Sequence, residues 1–378
     1  MAVLNEEQTM LRDAAKSWAQ ESSPVTKLRA LRDGGSGQSF DPAAWAEMGA
    51  MGWAGVIVPE DYDGTAFGYL SLGLILEETG RTLVASPLLS TALIGASALT
   101  LGGSDAQKAA WLPKIAAGEV VTALAVDEKA HHAPEMTALK ADKAGDGWSL
   151  TGKKTFVLDG EAADLVIVAA RTGGKPGDTD GITLFLVAGD ATGLTRKHLA
   201  LADSRGAAEL TFDGVKVGAD DVLGEVGKGW AVLEPVLDRA RAGLAAEMLG
   251  SALQAFEITL DYLKTRTQFG QVIGTFQSLQ HRAAKMFTDL ETTRSCVEAA
   301  LEQIDTGASD NRAAASLAKA KASDLAHLVT NEMVQMHGGI GMTDVHDAGL
   351  YLKRARVAEH LFGGASYHRD RYARVLGF

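Results

Sequence analysis

After Pro235 the chain runs to its end at Phe378 without another proline. A proline removes a backbone donor and clashes with the preceding turn, so a long proline-free stretch leaves long helices unobstructed. Apolar residues recur there at helical spacing. "RARAGLAAEMLGSALQAFEITLDYLKTR" (Arg239–Arg266) reads as one helix of ~28 residues, roughly 42 Å at 1.5 Å per residue. "TFQSLQHRAAKMFTDLETTRSCVEAALEQI" and "DNRAAASLAKAKASDLAHLVTNEMVQMHG" read as a second and a third, the latter stopped by Gly338-Gly339. "DAGLYLKRARVAEHLFGG" reads as a fourth. Four long helices with short connections predict a four-helix bundle over 228–378.

The middle of the chain, 119–227, has a different texture. "VVTALAV", "WSLTGKKTFVL", "ADLVIVAAR", "GITLFLVAG", "GLTRKHL", "AAELTFDGVKV" and "DDVLGEV" are short runs separated by turns such as Gly145-Asp146-Gly147. That spacing predicts a β-barrel or sandwich. Residues 1–118 are Ala/Leu/Glu-rich and helical. Asn5 and Asp41 are candidate N-caps, the second followed by Pro42 at the first helical position. Met10, Leu11, Ala14, Ala15 and Trp18 share one expected face, and Gly34, Gly35 and Gly37 mark a loop. The expected fold is therefore α+β multidomain: an N-terminal all-α domain, a middle β domain and a C-terminal four-helix bundle.

Composition excludes several functions. With 36 Lys+Arg against 48 Asp+Glu, the net charge of −12 disfavours nucleic acid, whose phosphates demand clustered cations. A single cysteine, Cys296, forms no internal disulfide and no Cys-based zinc site, which suits a reducing cytoplasm. The first ten residues carry Glu6 and Glu7 and do not read as a secretory signal. Thr82–Ser104 is uncharged and long enough to cross a bilayer, but it holds Pro87, three glycines and seven Ser/Thr residues. It reads as a loop plus a buried helix, or a face toward a partner subunit, with no membrane span.

Several segments, in order, resemble the acyl-CoA dehydrogenase flavoprotein family over nearly the whole chain. They are "EEQTMLRD", "GWAGVIVPEDYDG", "SDAQKAAWLPKIAAGE", "LTGKKTFV", "DGVKV" and "GEVGKGW". The most specific are "RTQFGQVIGTFQ" (Arg266–Gln277) and "QMHGGIGM" (Gln335–Met342). The resemblance implies FAD as cofactor and an acyl-CoA thioester as substrate. The implied reaction is α,β-dehydrogenation, in which a carboxylate takes the α-proton and the flavin takes a hydride. It also implies a homodimer or homotetramer, with electron-transfer flavoprotein as acceptor. In the family, residues matching Arg266, Gln268, Phe269, Gln277, Gln335, Gly338 and Gly339 hold the adenine and pyrophosphate half of FAD on the neighbouring subunit. Those residue types have the right chemistry for it. Arg offers a fork of donors to phosphate, Phe a face to adenine, and glycine a close backbone approach. Asp238 and Arg241 match residues that touch the CoA portion of the substrate.

The catalytic pattern departs from the family. The usual Glu before a Gly-Thr falls on Gly363 of "HLFGGASYH", and the alternative base position falls on Ala240. Neither side chain accepts a proton, and loss of a base reduces a rate by about 10²–10⁴-fold. His360 and Glu359 are the candidates for a displaced base, with Asp238, Glu234 and His368 also nearby in sequence. Around the flavin, the Thr-Glu-Pro of the family becomes Asp127-Glu128-Lys129, and its Trp-x-Thr becomes Phe156-Val157-Leu158. Phe156 can still stack on a flavin ring, whereas Leu158 donates no hydrogen bond. His131 and His132 are adjacent and read as loop residues, since neighbouring side chains diverge and no third metal ligand has a recognisable spacing. The tail "LFGGAS" resembles base-less subunits of paired enzymes that degrade sterol side chains and related bulky acyl-CoAs. The resemblance thus leaves three readings: a dehydrogenase with a displaced base, a non-catalytic subunit of an α2β2 heterotetramer with a base-containing paralogue, and a flavin oxidase or monooxygenase. The −12 charge opposes an anionic CoA, so a few placed cations such as Arg241 and Arg266 must hold it.

Overall fold

The computed structural model describes residues 4–34 and 39–378. Among the described residues six α-helices precede the sheet: α1 (Glu6–Glu21), α2 (Val25–Asp33), α3 (Pro42–Ala50), α4 (Tyr69–Arg81), α5 (Ala96–Gly102) and α6 (Asp105–Ala116). Both expected caps form: Asn5 makes a capping box with Gln8, and Asp41 accepts from the Ala43 N–H. Of the expected loop glycines, Gly35 and Gly37 lie outside the described residues. The chain separates into two compact units. One holds the segment up to Ala30, Tyr69–Val84 and Arg241–Phe378; the other holds 31–68 and Ala85–Ala240.

The second unit is built on an eight-stranded sheet. Its strands are β1 (Thr122–Ala125), β2 (Lys140–Ala144), β3 (Gly147–Leu158), β4 (Leu165–Arg171), β5 (Ile182–Ala188), β6 (Leu194–His198), β7 (Ala207–Val217) and β8 (Val222–Leu223). The order is β6-β7-β3-β2-β4-β5-β8, with β1 parallel to β4. Strand β2 escapes propensity because "KADKA" contains no β-branched residue; its pairing with β3 across the Gly145-Asp146 turn makes it a strand. The core alternates along the strands, with Leu150, Phe185, Val187, Leu210 and Phe212 inside and Trp148 lying 5.5 Å from Phe185. Within the uncharged stretch, Leu88–Gly95 and the start of α5 form a buried helical segment beside β1. Hydroxyls from both sides join it to β1: Thr91 Oγ1 accepts from the Thr122 N–H at 2.9 Å, and Thr122 Oγ1 donates to the Ser90 carbonyl at 3.1 Å. Among the described residues no helix is long and apolar enough to cross a membrane.

Strand β3 carries an irregularity between Lys154 and Val157. It shifts the inward side from even to odd positions, so that Lys154 and Val157 are both buried and Phe156 faces out at a φ of 53°. A fully buried ammonium needs a counter-charge. Lys154 Nζ donates to Glu128 Oε1 at 2.7 Å and to the Val126 carbonyl at 2.8 Å. Burial pushes its pKa down, and Glu128 opposes that shift. The Glu128 carboxylate also accepts the Ala138 and Leu139 N–H groups, tying the loop after β1 to the start of β2.

The first unit is helical. Helix α7 (Trp230–Thr265) is longer than the periodicity predicts and takes in Pro235. The proline sits in the second turn, where only one main-chain bond is lost. Then follow the hairpin β9 (Thr267–Gln268) and β10 (Gln271–Val272), α8 (Gln277–Thr306), α9 (Asn311–His337), α10 (Ala348–His360) and α11 (Ala365–Val375). Helix α4 joins this unit, and Asp305 at the end of α8 caps it by accepting the Tyr69 and Leu70 N–H groups at 2.6 and 2.9 Å. The buried Tyr351 hydroxyl donates to the Arg81 carbonyl at 2.6 Å, closing the other end of α4. Helix α1 packs on α4 and buries Ala15 and Ala19, while Met10, at 72% exposure, and Ala14 face solvent, contrary to the expected face. Alanines at this spacing let the two backbones approach closely, and Met10 falls outside that narrow stripe.

Replacing Glu128 by Ala strands the Lys154 ammonium in the sheet core and takes the acceptor from the Leu139 N–H and the exposed Ala138 N–H. The expected loss is about 3–5 kcal/mol, read as an earlier urea transition by tryptophan fluorescence. A shift worth less than about 1 kcal/mol would show that Glu128 does not hold this corner.

Candidate functional site

The two most specific sequence segments meet in the helical unit. Arg266 closes α7, its N–H bonded to the Tyr262 carbonyl at 2.9 Å, and opens the β9–β10 hairpin. One turn earlier, Tyr262 lies 4.3 Å ring to ring from His337 at the end of α9, and its hydroxyl donates to the His337 carbonyl at 3.4 Å. The end of α7 that leads into the hairpin and the end of α9 that leads into the Gly338-Gly339 turn are thereby joined. Phe269 stands at the hairpin tip, 88% exposed and at a φ of 55°, with the edge of Phe276 beside it at 6.1 Å. An exposed aromatic in a left-handed conformation is costly in isolation, which marks a side chain presented to something else. Arg266, Gln268, Gln277 and Gln335 are exposed as well.

The turn has room for a ligand. A Cβ added at Gly338 or Gly339 would meet no atom within 4 Å, and the φ of Gly338 is +63°. His337 is buried, its Nδ1 donating to the Met333 carbonyl at 2.7 Å, which leaves Nε2 as an acceptor buried without a partner. Burial lowers the pKa of this imidazole and keeps it neutral. An open glycine turn, an orphaned buried acceptor, an exposed Arg and an exposed aromatic face fit a nucleotide with phosphates and a flat base.

A second constellation surrounds the turn after α10. Lys319 of α9 is fully buried. Its Nζ donates to Ser323 Oγ at 3.0 Å and to the Glu359 and Gly363 carbonyls at 3.1 and 3.2 Å. Arg241, also buried, donates to the Phe362 carbonyl at 3.4 Å and to the Tyr367 hydroxyl at 3.3 Å. His368 Nε2 meets the same Phe362 carbonyl at 3.1 Å. Three side chains thus close the carbonyls that the end of a helix leaves open. Glu359 is itself engaged, accepting from Arg356 at 2.8 Å and lying 3.3 Å from His327 Nδ1, while His360 is exposed. Residue patterns alone do not single out Lys319. Its one signal is a lysine at helical spacing from Ala315, Ala322 and Ala326 on the buried stripe of α9.

The remaining candidates lie in the sheet unit. Ala240 is buried with no exposure and Asp238 has 2%. Phe156 is 40% exposed on its irregular strand, with Leu158 half-buried. Asp127 accepts from His132 Nδ1 at 2.9 Å and from the Ala133 N–H at 3.3 Å. His132 therefore folds back on its own loop, and His131 is exposed. No group of three or more His, Cys, Asp or Glu side chains among the described residues is arranged to hold a metal ion.

Comparison with known proteins gives a consistent match. Family profiles described as the N-terminal, middle and C-terminal domains of acyl-CoA dehydrogenase match residues 5–119, 123–215 and 227–377. The mitochondrial isovaleryl-CoA dehydrogenase of Solanum tuberosum is 32% identical over 89% of this chain and 82% of its own. The butyryl-CoA dehydrogenase of Megasphaera elsdenii superposes with a TM-score of 0.93 at 28% identity, covering 100% of this chain and 99% of that one. A chain of the ChsE4–ChsE5 complex from Mycobacterium tuberculosis does so with a TM-score of 0.89 at 26% identity, over 100% and 99% of the two chains.

Burial lowers the pKa of Lys319 to about 7, with Glu359 opposing and Arg241 and Arg354 reinforcing the shift. In the unfolded chain a lysine titrates near 10.4. Between these values the unfolded state binds the extra proton, so this group makes stability rise with pH from about 7 upward. The slope is at most about 1.4 kcal/mol per pH unit. Lys319→Met removes that slope. The stability of the wild type relative to this variant should therefore increase from pH 7 to pH 9 in urea titrations; a constant or falling difference would refute the assignment.

Proposed function

The chain belongs to the acyl-CoA dehydrogenase family, FAD-binding oxidoreductases that act on CH–CH bonds, and on that premise we propose that it is the base-less subunit of a heteromeric acyl-CoA dehydrogenase. The observation that carries this reading is the contrast between two sites in one unit. The Phe269 hairpin and the Gly338-Gly339 turn are open and exposed, as a surface that reaches a neighbour's cofactor would be. Gly363, where the family resemblance puts the base, is buried in a turn whose surroundings leave no space for a side chain. Ala240, the other such position, is buried and equally without a titratable group. Of the displaced-base candidates, Glu359 is held by Arg356 and His327.

In this reading Arg266, Gln268, Phe269, Gln277, Gln335, Gly338 and Gly339 hold the nucleotide half of FAD bound largely by a partner that carries the carboxylate. The bound flavin supplies the hydride acceptor for α,β-dehydrogenation of an acyl-CoA. This chain's own part is to bind and orient: Arg266 as a donor fork to phosphate, Phe269 as a face for the adenine, and the glycine turn as a close backbone approach. The assembly is an α2β2 heterotetramer with a base-containing paralogue. The similarity to a chain of the two-component ChsE4–ChsE5 complex supports a two-protein arrangement.

The test is the flavin content and oligomeric mass of the chain expressed alone and beside such a paralogue. The expected outcome is less than one FAD per chain and no acyl-CoA oxidation alone, with both appearing in a mixed tetramer. One FAD per chain together with turnover by the lone protein would overturn the proposal. Phe269→Ala should leave the melting temperature unchanged, because the ring is 88% exposed, and should weaken FAD retention by the mixed assembly at least several-fold. Unimpaired retention would remove Phe269 from the clamp.

A further inference from the structure

The turn after α10 places two consecutive residues in the left-handed region, Phe362 at a φ of 56° and Gly363 at 105°. The conformation alone disfavours any side chain at 363. The space does so independently. A Cβ at Gly363 would lie 2.4 Å from Tyr367 Cδ1, 2.9 Å from Tyr367 Cε1 and 3.1 Å from His368 Nε2. The 2.4 Å contact is far inside the ~3.5–4 Å optimum for carbon atoms. One of the two groups must move, and the tyrosine is held where it is.

Its hydroxyl accepts from Arg241 at 3.3 Å, and the guanidinium carbon stands 5.7 Å from the ring centre. His368 packs edge-on at 5.1 Å. Arg241 and His368 are both tied to the Phe362 carbonyl, and Lys319 holds the Gly363 carbonyl itself. The ring is thus clamped by the same side chains that fix the turn it fills.

We infer that Tyr367 is the stopper of position 363: its ring takes the volume a side chain there would need, so the base-less state is enforced by a second residue and not by the glycine alone. This inference rests on the reading above for its functional meaning, since that reading identifies 363 as the vacant base position. A carboxylate could then return to this turn only together with a smaller residue at 367.

The test is a mutant cycle in thermal stability on the full chain. Gly363→Ala in the wild type should lower the melting temperature by several degrees, the sum of the backbone strain and the ring clash. In a Tyr367→Ala background the same substitution should cost less than half as much, because only the strain is left. In a Tyr367→Phe background the cost should equal that in the wild type, because the ring volume is unchanged and only the Arg241 hydrogen bond is gone. Gly363→Glu should follow the same pattern. Equal costs in all three backgrounds would overturn the inference, as would relief by Tyr367→Phe. Acyl-CoA oxidation by the lone chain that is abolished in Tyr367→Phe would also overturn it, because the phenol would then be a reacting group. The cycle is read on the lone chain and needs no partner or flavin. If the chain proves active alone while the cycle holds, the heteromeric reading fails and the stopper stands.

Discussion

A lysine ammonium survives inside a helix bundle only where its hydrogens find acceptors. Lys319 finds three: its neighbour Ser323 one turn on, and the carbonyls of Glu359 and Gly363 across the packing interface. That requirement fixes where α10 must stop and how the chain must turn before α11. Arg241 and His368 add donors to the carbonyl between them. The result is a helix end closed by buried cations, which also suits the negative end of the α10 dipole. The same arrangement appears in the sheet unit, where Lys154 and Glu128 lock the loop after β1. In both units a buried amine organises irregular backbone.

This organisation bears on the division of labour proposed for the chain. A functional site must be held in place by packing and secondary hydrogen bonds. Here the turn at Gly363 is held by Lys319, Arg241 and His368, and Phe269 at the hairpin tip is 88% exposed. Support without a reactive group, and a presented group without local cover, together favour a subunit that completes a partner's site. The anionic CoA of the proposed substrate meets a chain of net charge −12. Arg241, one of the cations expected to offset that field, is buried and engaged with the Phe362–Tyr367 turn, whereas Arg266 is exposed.

Much of the fold was legible in residue patterns. Proline absence and helical spacing outlined α7 to α10, and β-branched runs outlined β3, β4, β5 and β7. Propensity missed β2, which exists because β3 pairs with it, and also missed α11 and the early start of α7. The residues proposed as the clamp came from the family resemblance of an R-x-Q-F-G run and a glycine pair taken together in order; the fold leaves Phe269 and the glycine turn exposed. Lys319, Tyr367 and the second role of Glu128 were not legible, because a buried lysine or a half-buried tyrosine looks in sequence like an ordinary surface residue.

By itself the sequence determined the class of the longest helices and strands and the absence of a carboxylate at Gly363 and Ala240, and its ordered segments carried the resemblance that named the family and its FAD. These depend on local spacing and on residue identity, which are one-dimensional quantities. Only the tertiary structure decided that the space beside Gly363 is filled, since Tyr367 reaches it four residues later from the next helix. Only the fold decided that Arg241 faces that turn and that His337 keeps an unpartnered nitrogen near the glycine pair. Sterics and hydrogen-bond satisfaction are properties of neighbours in space, and the helices bring those neighbours together from positions more than a hundred residues apart.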